Sequence, residues 1–211
     1  MALPENNIVA YDLRGIRAGI YNYDTSTKTI SYTTPFDVGK AMTCALELRF
    51  AEGRLYAESA LSRFKKKQTG GSISIAVEAL TLAVQKKLFG ASDVSTTVGS
   101  GTSSTVEGIG YGNASSAPYV GIGFYAPADD AGGSDKFIAI FVRKCRFGPA
   151  NWSYQTAGDT IQWSTPTTTG EFLSPDVNSG GTYPPMVEIA EVDSETMAKN
   201  WIKVKLGETV T

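Results

Sequence analysis

The sequence contains no histidine among its 211 residues. This absence excludes Ser–His–Asp and Cys–His catalytic arrangements and every zinc site that needs an imidazole ligand. Only two cysteines occur, Cys44 and Cys145, and both lie in apolar stretches with β-like alternation. We expect both thiols to be reduced, unpaired and buried, because this is not a small cysteine-dense framework. A disulfide between them is the alternative.

Long apolar runs are also missing. The longest, FIAIFV, has six residues, whereas a helix that spans a bilayer needs about 20. The start of the chain shows no basic segment followed by an apolar one, so we expect no signal peptide. Basic residues number 19 and acidic residues 21, a formal charge of −2, which argues against a protein that mainly grips nucleic-acid phosphates. We therefore expect a soluble protein, made in a bacterial-type cytoplasm, with no membrane partner.

Motifs for catalysis or ligand binding are equally scarce. The three aspartates within residues 129–135 lack the spacing of a calcium loop and are expected at a solvated hairpin tip. The G-x-G-x-G at residues 108–112 has no third glycine at dinucleotide spacing and opens no helix. Glu47 and Glu78 are ordinary polar residues of strand faces rather than a catalytic pair. The sequence thus predicts no enzyme, no metal and no cofactor.

The sequence does contain strong β patterning. Residues 42–50 and 72–78 alternate between apolar and polar side chains, which is typical of strands. Two Tyr/Ile/Thr-rich runs around Asp24 indicate a hairpin. One helix is predicted at residues 79–89, with Gly90 as its stop. The predicted class is mainly β or α+β, a β-sandwich of two packed antiparallel sheets flanked by one short α-helix.

We predict a single domain over residues 1–211. Its segments are an extended N-terminal arm and hairpin (1–40) treated as separate from the core, a β-sandwich core (41–173) interrupted by a long loop (91–117), and a C-terminal segment (174–211). In the last segment, MVEIAEV and NWIKVKL are predicted as β, with a short helical turn near 193–199. The run Lys65–Lys67 is either the solvated end of an edge strand or an electrostatic contact with a partner subunit. The tryptophans are expected in core or interface packing, with a sugar-binding platform as the alternative.

Four stretches carry a resemblance to a known family. They are GKAMTCALELRFAEGRLYAESAL, GGSISIAVEALTLAVQKKLFGA, APYVGIGFYAP and KFIAIFVRKCRFGPANWSYQTAGDTIQWSTPTTTGEF. In this order and spacing they span about residues 39–173 and resemble the major tail protein of long, non-contractile-tailed bacteriophages, the subunit of the tail tube.

The resemblance implies a structural role. Subunits of this family form hexameric rings, and the rings stack into a tube through which genomic DNA reaches the host. It further implies a virion location and contacts with the tape-measure protein, the tail terminator and the distal tail protein. Double-stranded DNA is expected to pass through without specific binding. A related tube protein of a contractile tail or injection device stays open as an alternative.

Two sets of residues follow from this expectation. The lumen should be lined by small polar and acidic side chains rather than lysines, because a basic lining would bind phosphates and slow DNA transit. The lumen candidates are Thr43, Glu47, Ser72, Ser74 and Glu78. The loop at residues 91–117 is expected to order against an adjacent ring, or else to be a tolerated surface insertion. Its candidate inter-ring anchors are Val98, Val106, Ile109 and Tyr111. A carbohydrate- or receptor-binding β-sandwich module of a phage or bacterial surface assembly is the second hypothesis.

Overall fold

The fold is mainly β, as a computed structural model of the chain shows. The structure describes residues 8–99, 104–112, 116–130, 135–156, 158–159 and 161–210. The strands within these ranges are β1 (Ile8–Ala10), β2 (Arg14–Asp24), β3 (Thr29–Gly39), β4 (Ala41–Ala57), β5 (Ala60–Val77), β6 (Ser92–Val98), β7 (Ser104–Gly110), β8 (Val120–Asp130), β9 (Asp135–Phe147), β10 (Thr167–Phe172) and β11 (Val187–Val192). Helices α1 (Leu82–Phe89) and α2 (Glu195–Lys205) accompany them. The predicted class, mainly β with a sandwich-like core and flanking helix, is confirmed.

Nine of these strands form one antiparallel sheet. Their order is β3-β2-β8-β9-β10-β5-β4, with β1 beside β8 and β11 beside β9. Strands β6 and β7 form a separate two-stranded sheet. Val38 in β3 and Ile75 in β5, from opposite ends of the strand order, belong to one buried cluster. The large sheet therefore folds over on itself, and its two halves are the layers of the predicted sandwich.

Alternation along the strands fills the space between the two halves. Ile73 and Ile75 of β5 and Val120 and Ile122 of β8 are fully buried and belong to the same cluster. Because side chains of a strand point alternately to its two faces, this spacing of two places one apolar set in the core. The sequence predicted this alternation for residues 72–78, and the structure agrees.

Helix α1 closes one side of this core with Leu88 and Phe89. It begins after Thr81, whose hydroxyl accepts a hydrogen bond from the N–H of Val84 at 3.3 Å. It ends at Gly90, which has a left-handed backbone with φ of 67°, a conformation that glycine adopts without a steric penalty. The predicted helix is confirmed and begins three residues later than expected.

Helix α2 covers the outer face of the sheet and was largely missed. The residues by which it contacts the sheet are Ala198, Ile202 and Leu206. They recur every fourth position and pack against Phe141 among others. The approach is close, since a Cβ on Gly123 would lie 2.7 Å from Cγ2 of Ile202. The prediction of β structure at NWIKVKL was wrong; it arose because this segment alternates like a strand, so only a short helical turn near 193–199 was expected.

Residues 14–39 lie inside the sheet, so their treatment as an arm outside the core was wrong. Strand β2 pairs with β3 on one side and with β8 on the other, and its Ala18 is fully buried. The predicted hairpin is present: the Asp24 carboxylate accepts hydrogen bonds from Ser26 and Thr27, which lower the pKa of Asp24 to about 2. Residues 1–7 of the predicted arm lie outside the described ranges.

Both cysteines are free. Cys145 is buried, and Cys44 is half-buried against the same apolar cluster. Burial raises the pKa of Cys44 to about 12 and also raises the pKa of Cys145. The prediction of unpaired thiols is confirmed, while full burial holds for Cys145 and not for Cys44.

The assignment of α2 as a helix gives a first testable prediction. Ile202→Ala should lower the free energy of unfolding by about 2–4 kcal/mol, because it opens a cavity under a fully buried side chain. Val204→Ala should change it by less than about 0.5 kcal/mol, since Val204 is exposed. Urea unfolding of both variants measures the difference. In a strand the two residues would share a face, so equal losses would contradict the helix.

Candidate functional site

The described residues offer distinctive surfaces rather than a chemical centre. Among the described residues, no group of three or more His, Cys, Asp or Glu side chains could hold a metal ion. No helix in the described ranges is long and apolar enough to cross a membrane. The features that stand out are a polar sheet face, two projecting hairpins and an exposed aromatic loop.

The polar sheet face brings together four of the five predicted lumen residues. They are Thr43, Glu47, Ser72 and Ser74. Glu47 lies directly opposite Ser72, and Ser74 is opposite Ala45, so these side chains share the outer face of β4 and β5. The intervening residues Cys44 and Leu46 turn toward the core. Glu78 lies beyond the end of β5 and forms an ion pair with Lys40 at 2.9 Å.

Strands β10 and β9 continue this face, which also carries Arg49 of β4 and Arg146 of β9, neither of them among the predicted lumen residues. Glu171 of β10 lies opposite Ser72 on one side and Arg146 on the other. Its carboxylate accepts a hydrogen bond from Arg49 Nη1 at 2.8 Å. The Arg146 guanidinium lies 4.0 Å from the ring centre of Tyr119. The face therefore carries mixed charge rather than mainly acidic charge, because arginines on β4 and β9 flank its glutamates.

The most prominent projection is the basic hairpin, defined here as residues 48–67 of β4 and β5. The register of β10 on β5 ends at Gly71, so beyond that point β4 and β5 pair only with each other among the described strands. At about 3.3 Å per residue the hairpin extends roughly 30 Å from the core. Six large apolar side chains on it are each 44% to 60% exposed. They are Leu48, Phe50, Leu55, Tyr56, Leu61 and Phe64.

One face of the basic hairpin satisfies its own charges. Lys66 Nζ lies 3.0 Å from Glu52 Oε1 and 4.5 Å from the ring centre of Phe50. Arg54 approaches Glu52 at 3.5 Å and lies over the ring of Phe64 at 5.6 Å. The hydrogen bond from Lys66 and its positive charge lower the pKa of Glu52. These contacts form a small network on an exposed ribbon.

The opposite face of the basic hairpin carries charges that are not paired within the hairpin. It presents Arg63, Lys65 and Lys67, which stand opposite Leu55, Gly53 and Ala51 in the register. None of the three cations forms an ion pair with a residue in the described part of the chain. The sequence motif of three consecutive lysines therefore divides between two faces: Lys66 is paired within the hairpin, whereas Lys65 and Lys67 are available to a partner.

The predicted loop at residues 91–117 is largely a second, shorter hairpin, so the loop assignment was wrong. Strands β6 and β7 pair over seven residues each. Val98 and Val106 lie on one exposed face together with Val94, whereas Ile109 is on the other face and half-buried. Residues 100–103 and 113–115 of the predicted loop lie outside the described ranges. Its Ser and Gly content suggested a loop, but its Thr and Val residues also suit a strand.

This short hairpin is anchored at its base to α1. The hydroxyl of Tyr111 donates a hydrogen bond to Oε1 of Gln85 at 2.9 Å, and its ring lies 6.3 Å from that of Phe89. Lys86 of α1 forms an ion pair with Asp93. Of the predicted anchors, Tyr111 thus fixes the hairpin to its own subunit, while Val98 and Val106 remain exposed.

The fourth feature is the aromatic loop, defined here as the described residues 151–156, 158–159 and 161–165. A bridge between Asn151 and Thr167 closes its base, with N–H to carbonyl distances of 2.7 and 3.3 Å. The Ser164 hydroxyl donates a hydrogen bond to the carbonyl of Ser153. Trp163 is 87% exposed, Tyr154 79% and Ile161 76%. The expectation of core packing is therefore wrong for Trp163, and interface packing stays a prediction.

The division of charge between the hairpin faces gives a second prediction. Lys66→Met should raise the pKa of Glu52 toward its ordinary value, because the lysine is the main cause of its lowering. Lys65→Met should leave that pKa nearly unchanged, since Lys65 is on the opposite face. A carboxyl-carbon NMR titration measures both. An equal response to the two substitutions would contradict the face assignment.

No protein-family model and no curated protein sequence matches this chain. The candidate site is accordingly defined by its own geometry, in which polar, basic and aromatic surfaces project from one rigid sheet.

Proposed function

We propose that the protein is a structural subunit that assembles with copies of itself, and that the assembly is the tail tube of a bacteriophage. The observation that carries the proposal is the basic hairpin, whose apolar side chains project from the core with no covering element among the described residues. The resemblance of residues 39–173 to major tail proteins supplies the identity of the assembly. In that assembly the subunits form stacked, hexameric rings within the virion after synthesis in the host cytoplasm.

The free energy of burying apolar side chains favours a basic hairpin that is covered by another molecule. A two-stranded ribbon is at best marginally stable in water when no third strand or helix covers it. Fully burying one large apolar side chain contributes about 1.5–3 kcal/mol, and the hairpin carries six such side chains that are now exposed. Contacts with neighbouring copies would recover this energy and hold the ribbon in place. Exposed apolar surface of this extent is typical of an interaction site.

The edges of the nine-stranded sheet offer a second type of contact. Strands β3 and β4 stand at the two ends of the strand order, so each presents a row of backbone groups without a strand partner on its outer side among the described strands. Such edges readily pair with another chain. Pairing of this kind between neighbouring subunits would continue the sheet around a ring, which is the arrangement that the resemblance implies.

The polar face of β4, β5 and β10 suits a DNA channel in this proposal. Its serines and threonine are small, and Arg49 is already paired with Glu171. A lining whose cations are neutralised by carboxylates releases few counterions on contact with DNA, so the duplex can slide. Residues Thr43, Glu47, Ser72 and Ser74 are therefore proposed to face the lumen. The tape-measure protein, the tail terminator and the distal tail protein are the other proposed partners, and no catalytic role is proposed.

A saccharide-binding module is the second candidate, and one observation favours it. Trp163, Gln155 and Gln162 line a cavity of about 200 Å³ together with hydroxyl side chains. An exposed indole can stack on a sugar ring, while amide groups donate and accept hydrogen bonds. This candidate predicts a monomer that binds glycans and loses that binding in Trp163→Ala.

The proposed function makes a third prediction. In the test variant, Asn-Gly replaces residues 51–67. Phe50 and Gln68, which face each other in the register, are then connected by a two-residue turn that suits a hairpin. The variant should retain its circular dichroism spectrum and free energy of unfolding to within about 1 kcal/mol, because the removed residues are all exposed. The natural chain should form rings or tubes in electron micrographs, and the shortened variant should sediment as a monomer.

A matched control separates hairpin length from turn chemistry. Replacing Glu58 and Ser59 with Asn-Gly changes the turn and keeps both strands, so this variant should assemble like the natural chain. A natural chain that stays monomeric at every soluble concentration would contradict the proposed function. Normal tubes from the shortened variant would show that the hairpin is not the assembly element.

A further inference from the structure

Charge is divided unevenly along this chain. The basic hairpin, residues 48–67, contains six basic and two acidic residues, a formal charge of +4. The whole chain has a formal charge of −2, so the remaining residues together carry −6. A projecting element of one sign on a body of the other sign is electrostatically complementary to a second copy of the same molecule.

The face of the hairpin whose cations form no ion pair in the described part of the chain is the one that can bind a partner. Arg63, Lys65 and Lys67 occupy alternate positions of β5 and point to one side, at intervals of about 6.7 Å. The residue opposite Lys65 is Gly53, and a Cβ placed on it would meet no atom within 4 Å. This face therefore combines three cations with an open, low surface on which another molecule can lie.

The aromatic loop lies at the other end of the same strand. Ala76, near the C-terminal end of β5, pairs with Thr167, and Thr167 forms the bridge that closes the loop. The turn of the basic hairpin, at Glu58 and Ser59, precedes the N-terminal end of β5. Lys67 and Arg63 lie 9 and 13 residues before Ala76, so the cationic side chains are separated from the base of the loop by about 30–43 Å along the strand. They cannot meet within one subunit, but they can meet between subunits arranged head to tail.

The chemistry of the loop suits a cationic partner. Asp159 is its one charged residue in the sequence, and Tyr154 and Trp163 expose most of their rings. Cations are attracted to the faces of Trp and Tyr rings, and aromatic residues and arginine are enriched at protein interfaces. The chain already uses this type of contact within the subunit, for example with Arg146 on Tyr119 at 4.0 Å and Lys66 on Phe50 at 4.5 Å.

We propose that the cationic face formed by Arg63, Lys65 and Lys67 of one subunit docks on the aromatic loop of a second subunit. The inference rests on the proposed self-assembly and names the two surfaces that meet. Because the donor and acceptor surfaces differ, the contact is heterologous, and its repetition generates a closed ring or an open polymer rather than a two-fold dimer. Stacking of successive rings is the direction in which such a contact would repeat.

The matched test uses the three consecutive lysines. Lys65→Ser combined with Lys67→Ser should raise the protein concentration needed for assembly by about tenfold or more, since two cation–π contacts are lost. Trp163→Ala should raise it similarly. Lys66→Ser should leave it nearly unchanged, because Lys66 is engaged within its own hairpin. Sedimentation velocity over a concentration series gives the values, and circular dichroism checks that each variant is folded.

Thiol cross-linking between differently tagged subunits tests the contact directly. Both subunits carry Cys44→Ala; one also carries Lys65→Cys and the other Trp163→Cys. A short bismaleimide should join them into a dimer of mixed tags under assembly conditions, and Lys66→Cys in place of Lys65→Cys should give little product. Two results would overturn the inference and leave the proposed function intact. One is tubes that form without this cross-link, and the other is normal assembly of the Lys65/Lys67 and Trp163 variants. If the natural chain does not assemble at all, the proposed function fails first.

Discussion

Strand β5 is supported unequally along its length, and most of the molecule's surface chemistry depends on that inequality. Strand β4 pairs with it throughout, whereas β10 pairs with it only from Gly71 to Ala76. The supported part carries core residues on one face and the polar sheet face on the other. The unsupported part does not pack against the core, so both of its faces can present charged and apolar side chains to other molecules.

The boundary between these parts lies at Gly70 and Gly71, and it requires glycine. Gly70 has a φ of 148°, and a Cβ there would lie 2.5 Å from the carbonyl oxygen of Phe172. A Cβ on Gly71 would lie 2.1 Å from the carbonyl oxygen of Glu47 and 2.2 Å from the ring of Phe172. The buried Phe172 ring therefore seats directly on the backbone of β5 at the point where the sheet ends and the ribbon begins. Any side chain at Gly71 would have to displace it.

The sequence predicted the elements whose apolar residues recur with the spacing of a strand or of a helix, but not of both. Residues 72–78 alternate with a period of two, and the helical spacing before Gly90 marks α1 and its end, so both elements were predicted. The segment after Ser194 was predicted as β beyond a short turn, although its apolar residues also fit a spacing of four. Packing of Ile202 against Gly123, which lies 79 positions earlier in the chain, decides for the helix, and no local pattern contains that information.

The candidate surfaces were predictable to a similar degree. Alternation placed Thr43, Glu47, Ser72 and Ser74 on one face, as the structure does. The same alternation puts Arg49 on that face. It could not show that Arg146 joins it, because the position of Arg146 depends on the pairing of β10 with β9. Nor could it show that Trp163 is exposed, since an isolated aromatic residue in a sequence is more often packed inside. The division of Lys65–Lys67 between two faces follows from strand geometry but becomes meaningful only when the partners of Lys66 are known.

The two glycines at the base of the ribbon have a mechanical consequence. A glycine pair restricts backbone torsion less than any other dipeptide, and a two-stranded ribbon twists more readily than a wide sheet. Because Phe172 packs against Gly70 and Gly71, the base of the ribbon is held in place, and the ribbon outside these glycines can twist by small torsional changes while the buried layer keeps its packing. In a polymer joined through such ribbons, each joint would yield slightly under lateral load. The filament could curve over many subunits while every intersubunit contact stayed closed.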